Sequence, residues 1–388
     1  MSNRNQRISF DANAGVPVSK RALEKFVEVA TTTPANPASI HQDGRAAQAV
    51  IESSKINIAK LLNCSANELF FTSGATEANN LAIHGLIYDL EQVYHKKPIL
   101  VSSLAEHPSC LSYLRVLQQK GYSLHLLDLS ACAQFDINNY VFSDDDCYVL
   151  VGQWVNNETG CVQNISKCSA SVADNVRWHC DAVQGFGKIP FDDCLLNSDS
   201  FSISGHKFGA PKGVGLLRLK NPSNCAPLLW GGGQQNSLRP GTESPELAAS
   251  FYVALDDAMR SQVNFSANTA SWRNLLLSKL ENCGCSFQIN SDLDGGLPNT
   301  LNISFPGIDG RMILPALDTE KISLSSGSAC ASGAALASSV LVATGVDEKL
   351  AQASIRVSFR KDYPDCEVDH FIDRLVVVIR GLYKVAIP

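Results

Sequence analysis

The 388-residue sequence contains no stretch of about 18 consecutive apolar residues, the length a membrane-spanning helix needs, so no membrane span is expected. It has no basic run either. Its 32 Lys+Arg stand against 38 Asp+Glu, a formal charge of −6, and nothing lines up to neutralise a row of phosphates, which argues against direct nucleic-acid binding. Internal repeats and low-complexity tracts are absent, which removes solenoids, fibres and disordered arrays. The opening MSNRNQRISFDANAG places no apolar core behind its basic residues and does not read as a secretory leader, so the cytoplasm is the expected compartment. Among the 13 cysteines there is no C-x-x-C pair. Cys283-Gly284-Cys285 comes nearest to a metal pattern but lacks a second Cys/His pair, and no metal is expected. An odd count of thiols in a reducing compartment reads mainly as small hydrophobes.

What is present is the composition of a multilayer globular protein, 45% apolar and 18% charged. Between residues 68 and 219, β-rich runs (LFFTS, PILVSS, SLHLLDL, CYVLVGQ, VRWHCD, SFSIS, VGLLRL) alternate with helical stretches. That alternation predicts an α/β fold with a mostly parallel sheet. Helices are expected over 42–62 and 244–259. After Arg260 the pattern changes to a helix over 270–280, strands CSFQIN, NTLNISF and SIRVSF, and a closing helix over 368–383. The division expected is a large domain over 16–260 and a smaller α+β domain formed by 1–15 and 261–388.

Several loops carry residues capable of chemistry. Ser204-Gly205-His206-Lys207 follows the strand SFSI, which puts a lysine at the carboxyl end of a strand, where open α/β sheets bind ligands; taken alone it also reads as a surface amine. Asp181 ends the strand VRWHCD, with Gln184 in the following turn. An acid there can cap a helix, or it can hold a pyridine nitrogen protonated, which with an amine such as Lys207 is what pyridoxal phosphate requires. Ser73-Gly74-Ala75-Thr76-Glu77 lies between a strand and an amphipathic run, a position that suits both N-capping and phosphate binding. His107 after PILVSS offers a flat ring to cover a cofactor, and Asn156-Asn157 after CYVLVGQ offer amides; both also fit ordinary loops. Cys330 sits within SSGSACASG, a run of small residues that suits an exposed thiol better than a packed one. Arg356 in SIRVSF reads equally as a carboxylate ligand or a surface cross-strand residue.

Taken in order, Asn36-Pro37-Ala38-Ser39, SGATEANNLAIHG, EHPS, VNNETG, HCDAVQ, SISGHKFGAPKGVG, LRPGTES, SSGSACASG and ASIRVSF resemble the NifS/IscS-type cysteine desulfurases of the class V aminotransferase family. The resemblance covers nearly the whole chain. It implies the type I fold of pyridoxal 5'-phosphate enzymes, with Lys207 as the Schiff-base lysine, Asp181 as partner of the pyridine nitrogen and His107 stacked on the ring. It further implies Ala75, Thr76, Ser204 and His206 at the phosphate, Asn157 and Gln184 at the phenolic oxygen, and Thr242 at the cofactor of a neighbouring subunit in a homodimer. Asn36, Asn157 and Arg356 would hold the carboxylate of L-cysteine, and Cys330 would take its sulfur as a persulfide for an acceptor protein. SSGSAC resembles the longer-loop group that supplies iron–sulfur cluster assembly and tRNA thiolation. The departures are Ala14-Gly15-Val16 for Ala-Thr-Thr, Ala35 for the Gly before Asn-Pro, and Gly209-Ala210 for Tyr-Gly. Pro388 follows soon after the last expected helix, where housekeeping members continue into a scaffold-docking tail, so a dedicated desulfurase for tRNA thiolation, DNA sulfur modification or a specialised cluster system is also expected. The alternatives are a selenocysteine lyase or cysteine-sulfinate-acting relative and, in another class, a non-catalytic scaffold or regulator of sulfur transfer.

Overall fold

The computed structural model describes residues 7–326 and 337–386, so Cys330 lies outside the described residues. A short strand, β1 (Ile8–Ser9), precedes helices α1 (Lys20–Thr32) and α2 (Gln42–Leu61). Seven strands follow: β2 (Leu69–Thr72), β3 (Ile99–Ser103), β4 (Leu124–Leu127), β5 (Tyr148–Gln153), β6 (Val176–Asp181), β7 (Ser200–Ser204) and β8 (Gly215–Leu219). Among them run α3 (Ala75–Tyr94), α4 (Pro108–Gln119) and α5 (Ile165–Ser171). The long α6 (Pro245–Asn282) leads to β9 (Gln288–Ile289), β10 (Thr300–Ser304), α7 (Gly310–Thr319), β11 (Ile322–Ser323), α8 (Ser339–Ala343), α9 (Glu348–Gln352), β12 (Ser354–Ser358) and α10 (Asp365–Ala386).

The seven strands form one sheet in the order β2-β8-β7-β6-β5-β3-β4, in which only β8 runs against its neighbours. Because β8 is antiparallel to both β2 and β7, β2 runs with the parallel set. The ends Thr72, Ser103, Gln153, Asp181 and Ser204 therefore share one edge. β5 is buried at every position and β6 at all but one, as strands covered on both faces must be. Trp154, Trp178, Phe186, Phe201 and Phe251 fill the core on this sheet.

A second core gathers Phe10, Trp272, Phe305, Phe359 and Phe371, with Phe10 stacked on Phe371 at 3.9 Å and on Tyr363 at 4.5 Å. It packs on the antiparallel sheet β12-β10-β9. The two helices expected over 244–259 and 270–280 are one continuous helix, α6, which contributes Ala258 to the first core and Trp272 to the second. The intervening segment RSQVNFSANT lowers helix propensity but contains neither glycine nor proline, so nothing in it breaks the helix. Among the described residues no helix is long and apolar enough to cross a membrane.

Candidate active site

Asp181 stands at the carboxyl end of β6, buried. Its Oδ2 accepts from Asn79 Nδ2 at 2.8 Å and its Oδ1 from the Val183 N–H at 3.1 Å. The carboxylate admits only donors, so it fixes the Asn79 amide with nitrogen toward Asp181. Asn79 Oδ1 then accepts from His179 Nε2 at 3.0 Å, and His179 Nδ1 accepts from Ser200 Oγ at 2.8 Å. Burial pushes the His179 pKa down to about 4, consistent with this neutral tautomer. The second Asn79 N–H goes to Ser109 Oγ at 2.8 Å, and Ser109 Oγ lies 2.8 Å from His107 Nδ1. His107 also caps α4, taking the Ser109 N–H at 3.1 Å. Asn79 thus joins the acid and the imidazole through its two amide hydrogens.

Behind this network lies Glu106, buried, with Oε1 on Ser103 Oγ at 3.2 Å and Oε2 without a partner. Burial and then the charge of Asp181 raise its pKa to about 8.

Lys207 closes the short turn after β7. Its Nζ donates to Asn13 O at 2.6 Å and Ala14 O at 3.2 Å. Gly209, at φ +100°, takes a left-handed conformation that glycine favours as the chain turns back toward β8. Burial and the charge of Lys207 shift the His107 pKa in the same direction, downward, while Asp181 opposes them; the three side chains share one electrostatic environment. Asn13 is fully engaged. Its carbonyl also accepts from Gln184 Nε2 at 3.0 Å, its Oδ1 from Lys188 Nζ at 3.1 Å, and its Nδ2 donates to Thr300 Oγ1 at 2.8 Å and Asn157 O at 3.2 Å.

Arg356 on β12 is buried, which removes the surface reading. It donates to Asp11 Oδ1 at 2.7 Å and to Asn157 O at 2.9 Å. The described residues Ser325 and Ser338, which precede and follow residues 327–336 in sequence, both bond in this region. Ser325 O accepts the Arg356 N–H at 2.7 Å, and Ser338 Oγ bonds Glu158 in the loop after β5.

The residue before α3, Gly74, provides no side-chain cap, and a Cβ there would meet nothing within 4 Å. Open space therefore faces the helix end that begins with Ala75 and Thr76, as an anion would need. Close approach of β8 to this turn requires Gly215, whose Cβ would lie 2.6 Å from the Gly74 carbonyl carbon. Ser204 Oγ lies 2.9 Å from His206 Nδ1, and burial, then the Lys207 charge, push the His206 pKa down to about 4. An uncapped helix end with neighbouring hydroxyl and imidazole, a buried acid, a flat imidazole and an amine form a donor set that fits the phosphate, pyridine nitrogen, ring and aldehyde carbon of pyridoxal phosphate.

Two expected residues stand apart. Asn36 and Thr242 line a separate cavity of about 500 Å³ between the α1–α2 connection and the start of α6. Asn36 Oδ1 accepts the Ala38 N–H at 2.9 Å. Sequence reasoning missed Asn13, Asn79, His179, Lys188 and the Glu77–Arg239 pair, whose Nε–Oε1 distance of 2.7 Å ties the segment before Thr242 to α3. Two of these carried a signal: Asn79 lies three residues after Thr76 on α3, and His179 two before Asp181, on the same strand face.

A family model described as aminotransferase class-V matches residues 8–371. The cysteine desulfurase IscS of Colwellia psychrerythraea is 35% identical over 375 residues, covering 94% of this chain and 91% of that one. A solved NifS-like protein superposes with a TM-score of 0.88 at 30% identity, covering 97% of this chain and all of that one. SspA, solved in complex with cysteine, gives 0.78 at 31% identity over 90% of this chain and 98% of its own.

Proposed function

The chain belongs to the class-V aminotransferase family and is a cysteine desulfurase; we propose that Lys207, Asp181, His107 and Cys330 carry its chemistry. The carrying observation is the convergence of Lys207, Asp181, His107 and Gln184 at one sheet edge, with Ser325 bonded to Arg356 and Ser338 to Glu158. When bound, pyridoxal phosphate supplies an electron sink that weakens bonds to the α-carbon of an amino acid.

The residues of the chain do the rest. Asp181, held by Asn79, keeps the pyridine nitrogen protonated, and His107 covers the ring. Ala75, Thr76, Ser204 and His206 hold the phosphate, and Asn157 and Gln184 the phenolic oxygen. Asn157 and Arg356, bonded to each other at 2.9 Å, receive the L-cysteine carboxylate, whereas Asn36 lies apart from them beside Thr242. Lys207, once released, moves the α-proton. The Cys330 thiolate then bonds to the substrate sulfur as the Cβ–S bond breaks, and that electron pair stays with the three-carbon fragment, which gains a proton at Cβ, regains the α-proton from Lys207 and leaves as L-alanine. The persulfide passes to an acceptor protein.

A homodimer completes the site. Thr242 lines a cavity to which none of the Lys207 cluster contributes, and Leu229 and Trp230, in the loop before it in sequence, are exposed, Trp230 to 86%. The large unit is 16–260 and the smaller one 1–15 with 261–388, joined through α6. The thiol-rich composition fits a cytoplasmic home.

The test is alanine formation from L-cysteine with a reductant present. Alanine and sulfide should appear in equal amounts and vanish in Lys207→Ala; a protein that binds the cofactor but forms no alanine would refute the reading.

A further inference from the structure

Lys188 is buried one turn beyond Gln184 and plays no part in the scheme above. Its Nζ donates to two neutral oxygens, Asn13 Oδ1 at 3.1 Å and Gln184 Oε1. The charged or titratable groups facing it are Lys207, Arg356 and His206. Burial, and then the like charges of Lys207 and Arg356, hold its pKa well below the ordinary lysine value. In either protonation state Nζ carries at least two N–H groups, one for each of the two amide oxygens.

A lysine N–H needs an oxygen opposite it, so Lys188 decides which end of each amide faces which way. With its oxygen on Lys188, Gln184 presents Nε2, which reaches Asn13 O at 3.0 Å. With its oxygen on Lys188, Asn13 presents Nδ2 to Thr300 and Asn157. The Asn13 carbonyl held in this way is the one that receives Lys207 Nζ at 2.6 Å.

We propose that Lys188 is a positioning residue, which keeps Gln184 as a hydrogen-bond donor toward the cofactor's phenolic oxygen and steadies the Asn13 carbonyl beneath Lys207. The inference rests on the cofactor placement proposed above. Lys188→Met keeps the length of the side chain and removes both N–H groups. Freed from Lys188, the Gln184 amide can turn its oxygen inward, so the deprotonated phenolic oxygen loses a donor and proton affinity rises.

The experiment is a pH titration of the visible absorption of protein loaded with pyridoxal 5'-phosphate, run as a double-mutant cycle with Gln184→Leu. Lys188→Met should raise the midpoint by about one pH unit, and should add nothing further in the Gln184→Leu background. KM for cysteine should change by less than about twofold, since none of the hydrogen bonds described for Lys188 goes to Asn157 or Arg356 directly. An unmoved midpoint in Lys188→Met, or shifts that add in the double variant, would overturn the proposal even if the melting temperature fell, because packing alone predicts that fall. If Lys188→Met does not fold, Lys188→Gln keeps two N–H groups without adding charge and should leave the midpoint in place; a shift there counts against the assignment. A wild-type protein with no pH-dependent cofactor band would instead refute the underlying cofactor reading.

Discussion

At the Asp181 end of the site two carboxyl groups, Asp181 and Glu106, are hydrogen-bonded to neutral partners, whereas at the Asn13 end three basic side chains, Lys207, Lys188 and Arg356, outnumber the carboxyl groups of Asp11, paired with Arg356, and the buried Glu158. The acid end is built within the large sheet and its helices, from β3, β6, α3 and α4. The basic end is stitched across the molecule, since Asn13 and Arg356 bond residues more than 140 positions away in sequence. On the function proposed above, the contrast would separate two jobs: a preformed acid edge for a cationic ring nitrogen, and a basic edge, shared between both cores, for anionic oxygens and the substrate carboxylate.

Breaking the acid end at its centre should have the largest effect. Asp181→Ala should lower kcat about 10²–10³-fold in steady-state alanine formation, the scale of losing one preorganised electrostatic partner. Removing its support is next. Asn79→Leu takes a donor from a charged acceptor and unties His107, and should lower kcat roughly 10–100-fold with an intact melting transition. At the basic end, Arg356→Lys loses the planar fork that bonds Asp11 and Asn157 together, and should raise KM for cysteine about tenfold while changing kcat less.

The smallest effect is on stability. Glu106, with a pKa of about 8 in the folded chain against 4.5 ordinarily, stays protonated when folded and releases its proton on unfolding between those values. Its contribution is therefore present below pH 4.5 and lost as pH rises toward 8. His179, at about 4 against 6.5, acts oppositely, costing stability as pH falls from 6.5 to 4. Above pH 6.5 the acid dominates, joined up to about pH 7 by Glu158, whose burial raises its pKa to that value. Glu106→Gln should remove on the order of 2 kcal/mol of stability loss between pH 6.5 and 8, read as a flatter melting temperature across that range.

The acid end was the more legible in sequence. Strand periodicity places Asp181 and His107 at the carboxyl edge of a parallel sheet, because a buried strand and the loop after it leave few alternatives. The basic end was not, because Asn13 acts through its backbone carbonyl and a side chain shared with β10 and the turn after β6, contacts that exist only after the two cores meet. Lys188 carries no local pattern at all. The continuity of α6 was hidden for a different reason: polar residues between 260 and 270 imitate a linker, yet none of them stops a helix.

The central claim is that sulfur leaves cysteine onto Cys330. The direct measurement is mass spectrometry of the protein after a brief reaction with isotopically labelled L-cysteine, alkylated and digested. One labelled sulfur should appear on the peptide that contains Cys330, and in Cys330→Ser it should be gone while the cofactor absorption remains. Label on another cysteine, or full sulfur transfer by Cys330→Ser, would contradict the account.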